Sequence, residues 1–285
     1  MVRKERQALA WCYEPGRVEA GVDEAGRGCL AGPVYAAAVV WPSAEQRPDV
    51  AADPRLALVR DSKTLSPAQR ERARAFVEAS AVAYAVASAS AAEIDRINIL
   101  RASHRAMHRA LDLLLLPPTP TPTDSTESTD SLAARGGAAL DHRGVEFIIA
   151  DGDRFKVYLR PGPASPRNAW NAWNALNASD ASSDDQSGFV PHACFPGGDN
   201  RFLAIAAASV LAKTHRDAHV RAVLHAAHPQ YGFDVSKGYG TAAHLLALER
   251  HGPCPEHRRS FGPVRRLVQA VAGDSSDGDA EKTEI

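Results

Sequence analysis

Four carboxylates in this chain stand where carboxylates are costly. Asp23 and Glu24 close an apolar run that opens at Val18, and Asp151 follows the mostly apolar Val145–Ala150 and precedes Gly152. Asp217 closes a stretch, Asn200–Asp217, that is apolar on nearly every side of a helix. A buried carboxylate needs a cation or hydrogen bonds to satisfy it. Within that helix Ser209, Lys213 and Asp217 fall at i, i+4 and i+8 and share one face. Four such acids can hold two divalent cations, and Mg²⁺ or Mn²⁺ prefers oxygen ligands. Two ions about 4 Å apart serve phosphodiester hydrolysis by activating a water and stabilising the leaving oxygen. Bland readings stand beside these. Asp151 fits a turn aspartate before glycine, and Lys213–Asp217 fits a surface ion pair. Neighbours in a regular strand also point to opposite faces. Asp23 and Glu24 therefore share a site only if the strand ends or twists, which Gly26 would permit.

Smaller motifs flank these acids. Gly26-Arg27-Gly28 lets backbone approach a ligand beside a fixed positive charge. Asp61-Ser62-Lys63-Thr64 and Lys237-Gly238-Tyr239-Gly240-Thr241 supply hydroxyls, lysines and an aromatic ring suited to phosphate contact and stacking; a plain glycine turn is the alternative for the second. His251-x-x-Cys254-x-x-His257 looks like a zinc fragment. It has three candidate ligands, no obvious fourth and two interrupting prolines, so a structural loop is expected. Arg258, Arg259, Arg265 and Arg266 fit phosphate contact and a solvated surface equally.

The elements that must position these residues alternate between strand and helix. Val18–Val22 and Val34–Trp41 read as strands of a hairpin around the glycine loop, and Val82–Ala87 as a third. Ser66 caps and Pro67 opens a helix to about Ala79. Asn98–Leu116 reads as a long helix, Val145–Ala150 and Phe189–Phe195 as strands, Asp199 to about Ala227 as a helix, and Tyr239–His251 as another. This pattern is an α/β domain. With 285 residues, 45% of them hydrophobic, the chain can bury a sizeable core. Residues 1–17 read as an N-terminal extension, 18–270 as the domain, and 271–285 as an acidic disordered tail. Low-complexity inserts occupy about 117–143 and 161–188. Asn177-Ala178-Ser179 in the second insert is a chance sequon. The formal net charge is -1, but the tail holds Asp274, Asp277, Asp279, Glu281 and Glu284 against Lys282, so the remainder is mildly basic. That neither demands nor excludes a nucleic-acid partner. The four cysteines form no close pair, which fits reduced thiols in a cytosol. No apolar run suits a transmembrane helix, and the N-terminus lacks the core of a secretory signal.

In this order, the segments GVDEAGRGCLAGPVYAAAVV, DSKTLSPAQRER, IDRINILRASHRAMHRAL, ADGDRF, AIAAASVLAKTHRD and YGFDVSKGYGTAAHLLALERHGPCPEHRRSFGPV resemble ribonuclease HII, the type 2 ribonuclease H family. The resemblance covers about Val18 to Val264 apart from the inserts. It implies a ribonuclease H-like fold, a mixed sheet flanked by helices, with a helical C-terminal part. It implies Mg²⁺- or Mn²⁺-dependent hydrolysis of the RNA strand of RNA–DNA hybrids, two ions acting per site. It also implies incision 5′ of single ribonucleotides in duplex DNA, leaving 3′-hydroxyl and 5′-phosphate ends and opening ribonucleotide excision repair. By motif, Asp23, Glu24, Asp151 and Asp217 match the family's catalytic, metal-binding acids. Gly26, Arg27 and Gly28 match its reader of the ribose 2′-hydroxyl, and Tyr239 its stacking tyrosine at the RNA–DNA junction. Ser62, Lys63, Asn98, Ser209 and Lys213 lie in matching blocks as substrate contacts. Cys29 stands where proline is usual, and Asp153 where asparagine is common. No clamp-binding peptide closes the chain. A cytoplasmic monomer is expected. The alternatives are a hybrid-binding module that has lost catalysis, and another two-metal nuclease on this fold.

Overall fold

The structure, a computed structural model, describes residues 8–115, 134–138, 140, 144–160 and 188–274, with side chains to residue 270. Most of the two low-complexity inserts and all but the start of the acidic tail lie outside these residues. Six strands form the main sheet: β1 (Glu19–Ala25), β2 (Val34–Val40), β3 (Ala83–Ala89), β4 (Ala134–Gly137), β5 (Phe147–Asp151) and β8 (His192–Phe195), in the order β4-β3-β2-β1-β5-β8. β1 to β4 pair antiparallel, whereas β5 is parallel to both β1 and β8, so the sheet is mixed. β6 (Tyr158–Leu159) and β7 (Phe189–Val190) make a separate two-stranded ribbon.

Side-chain alternation along the strands feeds two cores. On one face Ala20, Val22, Ala36, Ala38 and Ile148 pack against Ala102, Ala106, Met107 and Leu111 of α4 (Ile99–Leu115). On the other, Tyr35, Ala37, Val39 and Ile149 meet α5 (Leu203–His219) and Phe76 and Val77 of α2 (Pro67–Ser80). Ser66 and Gln69 close a reciprocal capping box on α2, as the Ser-Pro start implies. Among the described residues, the remaining helices are the short α1 (Pro48–Ala52), α3 (Ala91–Ile97) before α4, and a C-terminal group. That group comprises α6 (His225–Ala227), α7 (Phe233–Ser236), α8 (Ala242–His251) and α9 (Gly262–Asp274). It encloses its own small core around Tyr231, Phe233, Leu248 and Val264.

Several element boundaries differ from the sequence expectations. Asn98 is not the first residue of the long helix. It sits between α3 and α4 with φ at 67°, and its side chain caps α4 by accepting from the Arg101 N–H at 3.0 Å. Phe189–Phe195 is two strands broken at Pro191, which lacks an N–H for a ladder. The helix expected from Asp199 begins at Leu203; Gly198–Asn200 is a 3₁₀ turn, and Val220–Leu224 winds as a π turn before α6. The Tyr239 segment becomes helical only at Ala242, where Thr241 caps α8. β4 falls inside the range read as the first insert. The extension packs on the sheet: Ala10 bridges Phe202, and the Tyr13 ring meets Phe147, Phe195 and Phe202.

Candidate active site

The acids gather where the central strands end. β1 stays paired to β2 through Ala25, so it neither ends nor breaks at Glu24. Asp23 therefore faces α5, where the Ser209 hydroxyl hydrogen-bonds its carboxylate. Glu24 points to the α4 face and shares a small cleft with Ser103, His104, Asp151 and Asp153. They are near one another because β5 is shorter. Its last pair with β1 is Ala150 to Val22, so Asp151 stands at the sheet's end beside both acids. Burial pushes the Asp23 carboxyl well above the ordinary carboxylate range, and the charges of Glu24 and Asp151 push it further. Burial also raises Glu24, opposed by Arg27, whose guanidinium donates to Glu24 Oε1 at 3.1 Å. Asp151 is fixed from its far side: the Gly198 N–H donates to its Oδ1 at 2.7 Å.

Asp217 is held differently. Lys213 Nζ donates to its Oδ1 at 2.8 Å, and Tyr239 and Lys237 feel its charge. The α5 stripe thus runs from Asp23 at Ser209 to Tyr239 at Asp217, about 12 Å of helix rise. The Ser209 hydroxyl also meets that of buried Ser62 at 3.1 Å. Lys63, next to it, acts electrostatically on Glu24.

Two loops above this stripe form one unit. Leu30 N–H donates to the Gly238 carbonyl at 2.8 Å, tying the Gly-Arg-Gly loop to the Lys-Gly-Tyr-Gly turn. Arg216, fully buried, donates to the carbonyls of Ala31, Pro33 and Lys237. Arg258, also fully buried, donates to those of Gly32 and Arg27. Gly26 has φ at 97°, and a Cβ there would strike the Arg216 side chain, so both its conformation and its space require glycine. The Tyr239 ring is 40% exposed and lies above Lys213 Nζ, 5.5 Å from the ring centre. The side chain of Cys29 hydrogen-bonds the Tyr239 hydroxyl from within the loop.

Of the residues singled out in the sequence, Asn98 is exposed and serves as a helix cap, and no recorded contact joins it to the acids. Asp153 lines the Glu24 cleft, but its side chain is 79% exposed and lies 3.7 Å from Arg154. Arg258 is not a surface arginine, whereas Arg259, Arg265 and Arg266 are exposed. Three residues escaped the sequence reading. Arg216 carries no signal in the sequence beyond a charge, like Lys213, on an otherwise apolar helix. Asp199, read as a helix start, is 5% exposed in the 3₁₀ turn; burial and the charges of Asp61 and Asp151 raise its carboxyl to about 6. His244 is buried against the Tyr239 backbone at 2.8 Å.

A hard divalent cation fits this donor set. Asp23, Glu24 and Asp151 are oxygen donors crowded enough to raise the carboxyls of Asp23 and Glu24, and a cation would relieve that cost. As the side chains lie, no three potential ligands among the described residues converge on one point; Arg27 engages Glu24 and Lys213 engages Asp217. A cavity of about 790 Å³ lies elsewhere and is mostly apolar, lined by residues such as Leu9, Trp11, Leu56 and Leu203.

A mixed sheet between helices, with carboxylates at the ends of its central strands, is the ribonuclease H-like fold. Solved structures agree: the ribonuclease H2 of Pyrococcus horikoshii matches with a TM-score of 0.54 and 20% identity, over 89% of this chain and 98% of that one. A Bst-RNase HIII structure in complex with Mn²⁺ matches with a TM-score of 0.52 and 18% identity, over 90% and 70%. Residues 20–147 and 178–264 match the family profile Ribonuclease HII, and the gap between them holds Asp151 and much of the second insert. Ribonuclease HII of Thiobacillus denitrificans is 40% identical over 254 residues, 88% of this chain and 91% of that protein. That of Cytophaga hutchinsonii is 36% identical over 249 residues, 87% and 91%. The chain belongs to the ribonuclease HII family. It is a ribonuclease H, an endonuclease acting on the RNA strand of RNA–DNA hybrids.

Proposed function

We propose that this ribonuclease also incises duplex DNA on the 5′ side of a single embedded ribonucleotide, leaving 3′-hydroxyl and 5′-phosphate ends, and so opens ribonucleotide excision repair. The carrying observation is the Leu30–Gly238 hydrogen bond, which sets the Gly26-Arg27-Gly28 loop and Tyr239 in one frame beside the acids. A backbone that approaches closely suits reading of one 2′-hydroxyl, and a half-exposed ring suits stacking on the adjoining deoxyribose. Asp23, Glu24, Asp151 and Asp217 are the catalytic carboxylates and would hold two Mn²⁺ or Mg²⁺ ions. Bound there, such ions supply water activation and charge stabilisation at the scissile phosphate. The protein's own groups do the remaining work. Gly198 aims Asp151, and Ser209 aims Asp23. Lys63 and Lys213 neutralise phosphate charge, and Ser62 supports Ser209. Asn98 would contact the substrate backbone.

We further assign the enzyme to the cytoplasm as a monomer. All four cysteines are free, and no described helix is long and apolar enough to cross a membrane. The test is incision of a duplex carrying one ribonucleotide, with each metal and with the cut mapped. A single cut 5′ of the ribonucleotide supports the reading. Intact single-ribonucleotide duplex, under conditions where an RNA–DNA hybrid is cut, would overturn it.

A further inference from the structure

One titratable cluster has no part in the roles above. Cys254, His257 and His244 form a buried chain that ends on the Tyr239 backbone. Both imidazoles are essentially without solvent, at 1% for His257 and 0% for His244. The rings of Tyr231 and Phe233 wall them in: Tyr231 meets His257 edge-on at 4.7 Å, and Phe233 meets His244 at 5.2 Å.

The partners fix every proton. The Cys254 backbone N–H donates to His257 Nδ1 at 3.0 Å, so that nitrogen is bare and a neutral His257 carries its proton on Nε2. His257 Nε2 faces His244 Nε2 at 3.1 Å. A donor must meet an acceptor, so His244 Nε2 is bare and its proton sits on Nδ1. That Nδ1 lies 2.8 Å from the Tyr239 carbonyl, which can only accept. Burial lowers both imidazole pKa values, His257 to about 4, so both are neutral near pH 7. The same geometry removes the zinc reading of His251-x-x-Cys254-x-x-His257. His257 spends its two nitrogens on opposite partners, and His251 is exposed.

We infer that His244 is a positioning residue for Tyr239, with His257 setting its tautomer; the inference rests on reading Tyr239 as the junction-sensing ring. The Tyr239 carbonyl also accepts from the Thr241 N–H at 2.8 Å, but that bond lies within the turn itself. His244 instead ties the turn to α8 and, through His257, to the loop at 254–257. That loop is bonded to the strand-like stretch after Gly-Arg-Gly: Ala31 bridges His257, and the Gly32 N–H donates to the Glu256 carbonyl at 2.9 Å. The stacking ring and the hydroxyl-reading loop therefore share one backbone frame, and the histidine pair stops them sliding apart.

Two measurements test this. In the folded wild-type chain, ring ¹⁵N shifts should report His244 as the Nδ1–H tautomer and His257 as the Nε2–H tautomer at pH 7. The reverse assignment, or a charged ring, overturns the relay without any variant. The second is a double-mutant cycle on kcat/KM for a single-ribonucleotide duplex, with folding checked by thermal melting. His244→Leu should lower kcat/KM about five- to tenfold, the scale of one hydrogen bond. His244→Asn places an amide N–H where Nδ1–H stood and should recover most of the loss. In a Tyr239→Ala background, His244→Leu should cost nothing further. If Tyr239→Ala alone costs nothing, the reading of Tyr239 fails. If Tyr239→Ala costs activity while the His244 effect is absent, unrescued by asparagine, or multiplies in the double variant, the positioning role fails.

Discussion

Lys213 and Asp217, one helical turn apart, are joined by a 2.8 Å Nζ to Oδ1 contact beneath the Tyr239 ring. The lysine occupies the carboxylate that a divalent cation would need. An i, i+4 pair of this kind contributes about 0.5 kcal/mol to stability, far less than a metal–ligand bond. Lys213→Met should therefore change the unfolding free energy from urea denaturation by less than about 1 kcal/mol. It should lower the Mn²⁺ concentration for half-maximal cleavage several-fold, because Asp217 no longer has to release a cation. At saturating metal the rate should still fall about tenfold through the lost phosphate contact. A Mn²⁺ titration of the hybrid-cleavage rate separates these effects; a higher half-saturating concentration would contradict the competition.

Asp23 is a carboxylate held against its own preference. Burial and the charges of Glu24 and Asp151 raise its pKa, so at neutral pH its ionised form opposes folding. Asp23→Asn should stabilise the metal-free protein at pH 7, by about 0.5–2 kcal/mol, while cutting cleavage at least about a hundredfold. Mn²⁺ should raise the melting temperature of the wild type, since a ligand bound only by the folded state stabilises it. The rise should be smaller in the variant. Melting curves with and without Mn²⁺ measure both.

The strands and helices that carry the acids were legible because their signals are local. Apolar runs ending in Asp23, Asp151 and Asp217, and the Ser66-Pro67 start, each announce themselves within a few residues. What the sequence hid depends on contacts across the chain. The gathering of Asp23 and Glu24 needs no break in β1; it depends on where β5 stops, a register fact. Nothing near Arg216 or Arg258 in sequence shows that five loop carbonyls surround them. Nothing near His244 in sequence shows that His257, thirteen residues on, lies within 3.1 Å. The Gly198–Asn200 turn was lost because Asp199 fits a helix start as well as it fits a buried acid.

Asp199 gives a pH dependence whose sign can be worked out. Its carboxyl sits near 6 in the folded protein against an ordinary 3.8. Between those values the folded state binds more protons than the unfolded one, so stability falls as pH rises. The contribution is present below about pH 3.8 and is lost as pH passes 6. Asp199→Asn removes that loss. Its advantage over the wild type should grow from near zero at pH 4 to about 2–3 kcal/mol at pH 7. Urea denaturation at pH 4, 5, 6 and 7 checks the trend, and a constant difference across the series would refute it.

Arg258 tests the frame that holds the Gly-Arg-Gly loop. Its guanidinium is fully buried, meets the carbonyls of Gly32 and Arg27 at 2.9 Å each, and stacks 5.2 Å from the Phe261 ring centre. Burial lowers its pKa to about 9, so it stays charged at pH 7. Arg258→Leu would leave both carbonyls without their donor in the interior, each worth about 1–3 kcal/mol. The expected loss is about 3–5 kcal/mol, or roughly 10 °C in melting temperature for a chain of this size. Arg258→Lys keeps the charge but has one compact donor group in place of a fork, so it should recover less than half of that. Exposed Arg265, changed to alanine, should stay within about 0.5 kcal/mol. Because the lost bonds anchor the backbone at Arg27, the Arg258→Lys variant should also lose preference for a single-ribonucleotide duplex over an all-RNA hybrid. Equal stability of Arg258→Leu and wild type would show that the loop holds itself without the buried cation.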